Sequence, residues 1–299
     1  MFFANDKVSR LAACTIIVSL VVMGIKYVAY LRTGSVALYS DALESIVNVV
    51  TAVAALIAVR ISAQPPDRNH PYGHHKAEYF SAGLEGTLIV IAALLILQQA
   101  YGAWLHPRTI TAPMEGIVIN AFAAIINVTW AAYLVNRGRA WRSPAITADG
   151  WHLYADVATS VGVIVGLLLA VLTGWYFLDP LLAALVAVHI LWVGWRITSQ
   201  SMNGLMDRAV ETEVLAQIRK VIASNASGAL QIHDLKTRIA GRATFIEFHL
   251  VVPGEMSVTD AHDICDRLED ALGVAIEGAE VVIHVEPEGE AKTKGAIAF

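Results

Sequence analysis

Two pairs of polar residues stand inside long apolar stretches of the sequence, and in each pair the members are four positions apart. The first pair is Glu44 and Asn48, and the second is His152 and Asp156. Residues four apart lie on one face of an α-helix, so each pair presents two side chains in the same direction. An imidazole together with two carboxylates suits a divalent transition metal. The alternative interpretation is an interhelical hydrogen-bond network that only holds helices together.

Other polar groups lie within one helical turn of these pairs. Asp41 and Ser45 accompany the first pair, and Asp149 precedes the second by three positions. This spacing makes them available as supporting hydrogen-bond partners or as a proton path, with a helix-end or packing role as the equal alternative. Glu85 and His189 also stand in apolar segments, but neither has a partner at a diagnostic spacing. We interpret both as helix-packing residues.

The composition indicates which elements must position these residues. The chain of 299 residues is 56% hydrophobic and 16% charged, with a mean hydropathy of +0.57, which lies outside the range of soluble proteins. More than half of the charged residues follow residue 200, so a soluble tail follows a membrane part. The two cysteines, one in each part, exclude a disulfide framework, and no basic patch indicates nucleic acid.

Six apolar segments are long enough to cross the hydrocarbon core of a bilayer, which takes about 20 residues in a helix. They are residues 9–31, 35–61, 77–104, 113–136, 145–173 and 177–200. Lysine and arginine concentrate on the side that holds both termini, so the positive-inside rule places the termini and the tail in the cytoplasm. The second span then runs inward and the fifth outward. Both polar pairs lie roughly 10–20 Å from a membrane face, where they can meet.

The two pairs belong to longer runs that resemble one transporter family. The runs are Gly34-Ser-Val-Ala-Leu-Tyr-Ser-Asp-Ala-Leu-Glu-Ser-Ile-Val-Asn48 and Ala148-Asp-Gly-Trp-His-Leu-Tyr-Ala-Asp156. They are similar to the second and fifth helices of the cation diffusion facilitators, which are dimeric metal/proton antiporters, and the resemblance covers almost the whole chain. It implies a metal transport site within the membrane. Its residues are Glu44, Asn48, His152 and Asp156.

The second helix departs from the family pattern at both positions. The family has His or Asp followed four residues later by Asp, whereas this sequence has Glu44 and Asn48. Asparagine in place of aspartate removes a negative charge. An oxygen-rich ligand set favours harder ions such as Mn²⁺ or Fe²⁺, although imidazole and carboxylate still accept Zn²⁺, Co²⁺ and Ni²⁺. The metal therefore stays open among Zn, Mn, Fe, Co, Ni and Cd.

The loop between the second and third spans is crowded with potential ligands. It resembles the family's interfacial loop, in which one Asp and two His hold a metal, and the matching residues are Asp67, His70 and His74. A polar cytoplasmic loop with unliganded imidazoles is the alternative. The resemblance further implies a salt bridge between Lys76 and Asp207, which would join the membrane part to the tail.

Residue patterns in the tail predict a small α/β unit of order αββαβ, with strands over residues 231–239, 243–252 and 280–286. This unit is similar to the family's metallochaperone-like dimerisation domain. In its last strand, period-two alternation puts His284 and Glu286 on the face opposite Val281 and Ile283. The resemblance implies five metal ligands in the tail. They are His233, His249, His262, His284 and Glu286. Plain surface histidines are the alternative.

The expected architecture is an all-α membrane domain of six helices over residues 1–206, a cytoplasmic α/β domain over residues 207–290 and a flexible tail over residues 291–299. The expected function is export of a divalent transition metal in exchange for protons, by a homodimer in a bacterial inner membrane. Neither an enzymatic activity nor a nucleotide is expected, since we find no Gly-x-x-x-x-Gly-Lys-Ser/Thr loop. A membrane metal sensor or assembly scaffold without transport is the main alternative, and a channel is another.

Overall fold

The computed structural model describes residues 2–33, 36–105, 114–173, 178–292 and 296–298. The chain divides into two compact units, residues 1–202 and residues 203–299. This division lies a few residues before the boundary expected between the membrane part and the tail. Each unit has its own buried core and is described by itself.

Six long helices make up the described part of the first unit. Their bounds are α1 Phe2–Thr33, α2 Val36–Ser62, α3 Ala77–Leu105, α4 Met114–Ala140, α5 Pro144–Thr173 and α6 Leu178–Leu205. Each coincides with one predicted segment to within a few residues at either end, except that α1 begins earlier. Within α1 and α3, the stretches Lys7–Val28 and Ala77–Gly102 are long and apolar enough to cross a membrane. The crossing of the other four helices stays a prediction.

Helix α5 is the central element of this unit. It packs against α2, α3 and α4, and its apolar residues contribute to two buried clusters. One cluster joins α5 to α1, α2 and α4, and the other joins it to α3 and α6. Polar side chains on α5 can therefore face other helices on several sides.

Two glycines allow α3 and α6 to approach closely. A Cβ atom added to Gly86 would lie 2.8 Å from the backbone nitrogen of Thr198, and one added to Gly194 would lie 3.0 Å from the carbonyl oxygen of Gly86. Both distances are shorter than ordinary van der Waals contact. A larger residue at either position would therefore push the two helices apart.

The outer surface of the bundle is apolar. Large aliphatic and aromatic side chains are exposed along several of its helices. Examples are Ile17, Leu31, Phe80, Tyr101, Phe122, Leu185 and Trp195. Exposed apolar surface on this scale is unusual for a soluble monomer and suits contact with lipid.

The second unit is a four-stranded sheet with two helices. Its elements are α7 Thr212–Asn225, β1 Gln231–Ala240, β2 Ala243–Val252, α8 Val258–Ala275, β3 Ala279–Pro287, a short 3-10 helix Glu288–Glu290 and β4 Ile297–Ala298. The strand order is β3-β2-β1-β4; β2 and β3 are parallel, and the other neighbours are antiparallel. A parallel pair needs a crossover, which α8 provides, whereas a tight turn with Gly241 at φ +55° joins β1 to β2.

The two helices of this unit cover one face of the sheet. Helix α8 begins after Ser257, whose hydroxyl oxygen accepts the backbone N–H of Asp260 at 3.1 Å, as is typical of an N-cap. Ile222 of α7 and Leu268 of α8 are fully buried in one core with Phe248 of β2. Because side chains alternate along a strand, the intervening residues of β2 project from the opposite face.

The C-terminal segment expected to be flexible contains a short strand. Ile297–Ala298 pairs with Gln231 and Ile232 of β1. Before this strand, the backbone N–H of Lys292 donates to the side chain of Gln231 at 2.7 Å, and the Lys292 ammonium donates to Asp234. The segment therefore covers part of an otherwise open sheet edge.

We predict that Leu268→Ala destabilises the second unit by about 2–5 kcal/mol, because the side chain is fully buried and its removal leaves a cavity. Val274→Ala is the matched control. Val274 lies on the same helix and is 90% exposed, so its truncation should change the free energy of unfolding by less than about 0.5 kcal/mol. Urea unfolding of residues 203–299, followed by circular dichroism, measures both values. Equal stability of the two variants would contradict the assigned core.

Candidate metal sites

Three of the four intramembrane residues singled out in the sequence meet in the first unit. Asn48 of α2 lies between His152 and Asp156 of α5. Its Oδ1 is 2.9 Å from His152 Nε2, and its amide nitrogen donates to Asp156 Oδ2. All three side chains are buried. The spacing on α5 and the packing of α2 against α5 bring these ligand candidates together.

The arrangement fits a metal site by distance as well as by residue type. Metal bonds to nitrogen and oxygen of about 2.0–2.2 Å place neighbouring ligand atoms about 3 Å apart. The 2.9 Å between Asn48 Oδ1 and His152 Nε2 is such a separation. A cation could therefore replace the hydrogen bonds of Asn48 without a large displacement of either helix.

The fourth expected ligand, Glu44, and the supporting groups expected from the sequence divide into two sets. The side chains of Glu44 and Asp41 lie outside the described residues, so their roles stay predictions. Ser45 and Asp149 are buried in the bundle, each one helical turn from the site. A side-chain hydrogen bond with Thr15 of α1 holds one side of Asp149.

The loop after α2 gathers its three expected ligands. Asp67 Oδ1 lies 3.4 Å from His70 Nδ1, and Asp67 Oδ2 lies 3.5 Å from His74 Nε2. All three residues offer a ligand atom within 4.8 Å of the others. Backbone N–H groups of His70 and Asn69 donate to Asp67 and hold the pKa of its carboxyl below the ordinary value. The carboxylate is thus ionised at neutral pH and can attract a cation.

In the second unit, strand register aligns three histidines across the sheet. His233 of β1 is paired with His249 of β2, and His249 is paired with His284 of β3. The centroids of their rings are 5.2 Å apart for the first pair and 4.9 Å apart for the second. Strand residues next to these histidines, such as Phe248 and Ile283, pack into the core under the helices. The three imidazoles therefore lie on the face opposite the helices.

Glu286 of β3 is the acid that contacts all three histidines. Its Oε1 lies 2.8 Å from His249 Nδ1 and 3.7 Å from His284 Nε2. Its Oε2 lies 3.1 Å from His233 Nε2. One carboxylate among three imidazoles is a donor set for divalent transition metals.

Comparison with known sequences identifies both units. Residues 12–206 match the family described as the cation efflux transmembrane domain. Residues 210–288 match the cytoplasmic domain of cation efflux proteins. The chain belongs to the cation diffusion facilitator family. The resemblance drawn from the sequence is confirmed, and the first unit is the transmembrane domain of a cation efflux protein.

Relatives of this cation diffusion facilitator match nearly its full length. The transporter sll1263 of Synechocystis is 41% identical, over 94% of this chain and 91% of its own length. The cation-efflux pump FieF of Escherichia coli O127:H6 is 32% identical, over 94% of this chain and 93% of its own length. A solved structure of the metal-bound C-terminal domain of the CzcD transporter from Thermotoga maritima is 29% identical. It covers 28% of this chain and 100% of that chain, with a TM-score of 0.25.

His262 lies apart from the other tail histidines of this cation diffusion facilitator. It is on α8, 70% exposed, and its Nε2 is 3.6 Å from Asp266 Oδ1. Helix α8 packs on the face of the sheet opposite the aligned imidazoles. The single chain therefore does not bring His262 to Glu286, and its role as a ligand stays a prediction.

The predicted salt bridge between Lys76 and Asp207 would connect the two units, and it also stays a prediction. Within the second unit, the carboxylate of Asp207 lies 3.3 Å from Arg238 Nη1. The Arg238 guanidinium in turn lies over the ring of Phe245, at 4.3 Å from its centroid. Asp207 is thus held in place by residues of its own unit.

Asp234 is a candidate ligand that the sequence reasoning missed. It offers a ligand atom to a group with His233 and His249, although alternation along a regular strand would assign it to the other face. A register shift between His233 and Lys236, with φ +53° at Asp234, breaks that alternation. A hydrogen bond from Lys292 also lowers the pKa of the Asp234 carboxyl. In the sequence, the only indication of this role is that Asp234 directly follows His233.

We predict that Glu286→Gln weakens Zn²⁺ binding to the second unit about tenfold or more, because the variant loses the one carboxylate that contacts all three imidazoles. Glu288→Gln is the matched control, since Glu288 is exposed two positions further along the chain. Titration calorimetry of residues 203–299 with Zn²⁺ measures both affinities. Equal affinities for the two variants would remove Glu286 from the site.

Proposed function

We propose that this protein exports a divalent transition-metal cation from the cytoplasm in exchange for protons. It acts as a homodimer in a bacterial inner membrane, with both termini in the cytoplasm. The observation that carries the proposal is the buried contact of Asn48 with both His152 and Asp156. Ionisable groups are expensive inside a membrane, and a cation as substrate accounts for their presence.

The ligand types favour a divalent ion that accepts both nitrogen and oxygen. His152 supplies an imidazole, Asp156 a carboxylate and Asn48 an amide oxygen. With Glu44 predicted as a further carboxylate, oxygen atoms outnumber nitrogen atoms in the set. This balance favours Mn²⁺ or Fe²⁺ and leaves Zn²⁺, Co²⁺, Ni²⁺ and Cd²⁺ within the range of the site.

Competition for the same atoms couples the cation to protons. Metal binding requires an ionised Asp156 and a neutral His152. Rocking of the helices turns the loaded site outward. Protons that arrive from outside then occupy these ligands and release the cation, and the hydrogen bonds of Asn48 close the polar network again. The site therefore holds either the cation or protons, and their movements are opposite.

Metal bound outside the bundle would regulate this exchange. Ligand atoms lie close together within each of two groups. One is the loop group of Asp67, His70 and His74, and the other is the tail group around Glu286. In a homodimer, metal in the tails would draw the two tails together. The predicted pair of Lys76 and Asp207 would pass that movement to the helices.

A membrane metal sensor or assembly scaffold is the alternative. Asn48 favours it, because one amide is hydrogen-bonded to both neighbouring side chains without a cation. A sensor would bind metal in its tail but would move none across a membrane. Metal uptake into proteoliposomes with an imposed pH gradient separates the two functions.

We predict that His152→Ala and Asp156→Ala each reduce uptake of the transported metal to the level of protein-free vesicles, since each variant loses a substrate ligand. His189→Ala is the matched control for His152→Ala, because His189 is exposed on α6, and it should keep wild-type uptake. The assay compares Zn, Mn, Fe, Co, Ni and Cd in proteoliposomes. Near-wild-type uptake by the His152 variant would remove the imidazole from the transport site.

We predict that Glu44→His combined with Asn48→Asp shifts ion preference toward Zn²⁺, because the pair exchanges an oxygen ligand for nitrogen and adds a negative charge. Competition between Zn²⁺ and Mn²⁺ in the same vesicles measures the preference. The two single variants show which substitution is responsible. An unchanged ranking of ions would mean that selectivity resides elsewhere in the bundle.

A further inference from the structure

Two acidic residues inside the helix bundle are not explained by the metal site. Glu85 of α3 and Asp149 of α5 are buried, with relative exposures of 0% and 1%. Within the described ranges, neither carboxylate oxygen of Glu85 has a hydrogen-bond partner, and Oδ2 of Asp149 has none. A buried carboxylate without a partner is costly, which points to a ligand that satisfies it.

Glu78, on the same helix as Glu85, shows how a buried carboxylate is satisfied in this bundle. Its two oxygens accept hydrogen bonds from the hydroxyls of Ser62 and Ser143. Glu85 has no comparable donor in the part of the chain that the structure describes. Its interpretation as a helix-packing residue is therefore insufficient, because an apolar side chain would fill the same position at lower cost.

Glu85 and Asp149 lie close to each other where α3 packs against α5. Glu85 is one helical turn from Ala82, which shares a buried cluster with Ala148, the neighbour of Asp149. The two carboxylates interact electrostatically, and Asp149 interacts in the same way with Asp156 of the metal site. The acids therefore extend from the metal site across α5 to α3.

Other charged groups on the described helices around this pair are few. They are His152 and Asp156 on α5, Glu78 on α3, Lys7, Arg10 and Lys26 on α1, Arg60 on α2, Arg137 and Arg139 on α4, and His189 and Arg196 on α6. The arginines, Lys7 and His189 are exposed. Lys26 lies about 16 Å along α1 from Thr15, the residue that is hydrogen-bonded to Asp149. We therefore expect a mobile cation to neutralise Glu85 and Asp149.

We propose that Glu85 and Asp149 form a proton-binding site, in which Glu85 carries the proton beside the carboxylate of Asp149. This inference deepens the proposed function and rests on it, because the proton exchanges with the cation held at Asp156. A divalent cation at Asp156 repels the proton, which leaves as H⁺ and turns Glu85 into a carboxylate. Protonation of Glu85 restores the pair and weakens the negative potential that attracts the cation.

Proton release on metal binding tests this site. Purified full-length protein is titrated to saturation with Zn²⁺ in weakly buffered solution with a pH-indicator dye, and Glu85→Gln should release about one proton fewer per chain than the wild type. Asp149→Asn should also release fewer. Glu78→Gln is the matched control and should keep the wild-type count, because serine hydroxyls already occupy its oxygens. Equal proton release by Glu85→Gln and wild type would overturn the proposal.

Infrared spectroscopy separates failure of this site from failure of transport. A protonated carboxyl has a carbonyl stretch at higher frequency than a carboxylate. Metal-free wild type should show such a band, which Glu85→Gln loses and Glu78→Gln keeps. A protein that moves no metal in vesicles would end the transport proposal, while this band would still decide the proton site. If no band is sensitive to Glu85→Gln, the proton site is overturned. It is also overturned if Zn²⁺, rather than a proton, binds to Glu85 and Asp149 in the wild type.

Discussion

The cost of burying ionisable side chains in an apolar bundle governs the first unit. His152 and Asp156 are buried on α5, where each needs a partner to offset the loss of water. Asn48 meets both needs at once, because an amide carries an acceptor and a donor. This contact requires α2 to pack against α5, and α5 is also the helix that joins the two apolar clusters of the bundle. The same packing of helices therefore forms the apolar core and brings the candidate ligands together.

The second unit assembles a similar set of candidate ligands by strand pairing. Register places His249 between His233 and His284, and Glu286 follows His284 by two positions on the same face. Stability comes from the other face, where Phe248 and the helices form the core. Because the two roles use opposite faces, a ligand on the sheet can change without disturbing the core. Exposure also rises across the row of imidazoles, from buried His233 to exposed His284, so a cation can reach the row from solvent.

Local periodicity predicted most of the fold and part of the sites. The strands β1, β2 and β3 agree with the predicted strands to within about a residue at each end. The features that the sequence did not predict share one cause, because each depends on a neighbour that is distant in sequence. A bulge turns Asp234 toward His233, and β4 exists only through its pairing with β1. Neither feature leaves a repeating pattern in the residues that form it.

The sequence by itself determined the candidate ligand types and the helix faces that carry them, because residues four apart share a face wherever a helix forms. It also determined that His284 and Glu286 lie on one side of their strand, because alternation is equally local. Only the tertiary structure decided which faces meet. It inserted Asn48 between His152 and Asp156, left Glu85 beside Asp149 without a donor in the described bundle, and separated His262 from Glu286 by the thickness of the sheet. Contacts between elements depend on packing across the whole unit, which no spacing within one helix or strand encodes.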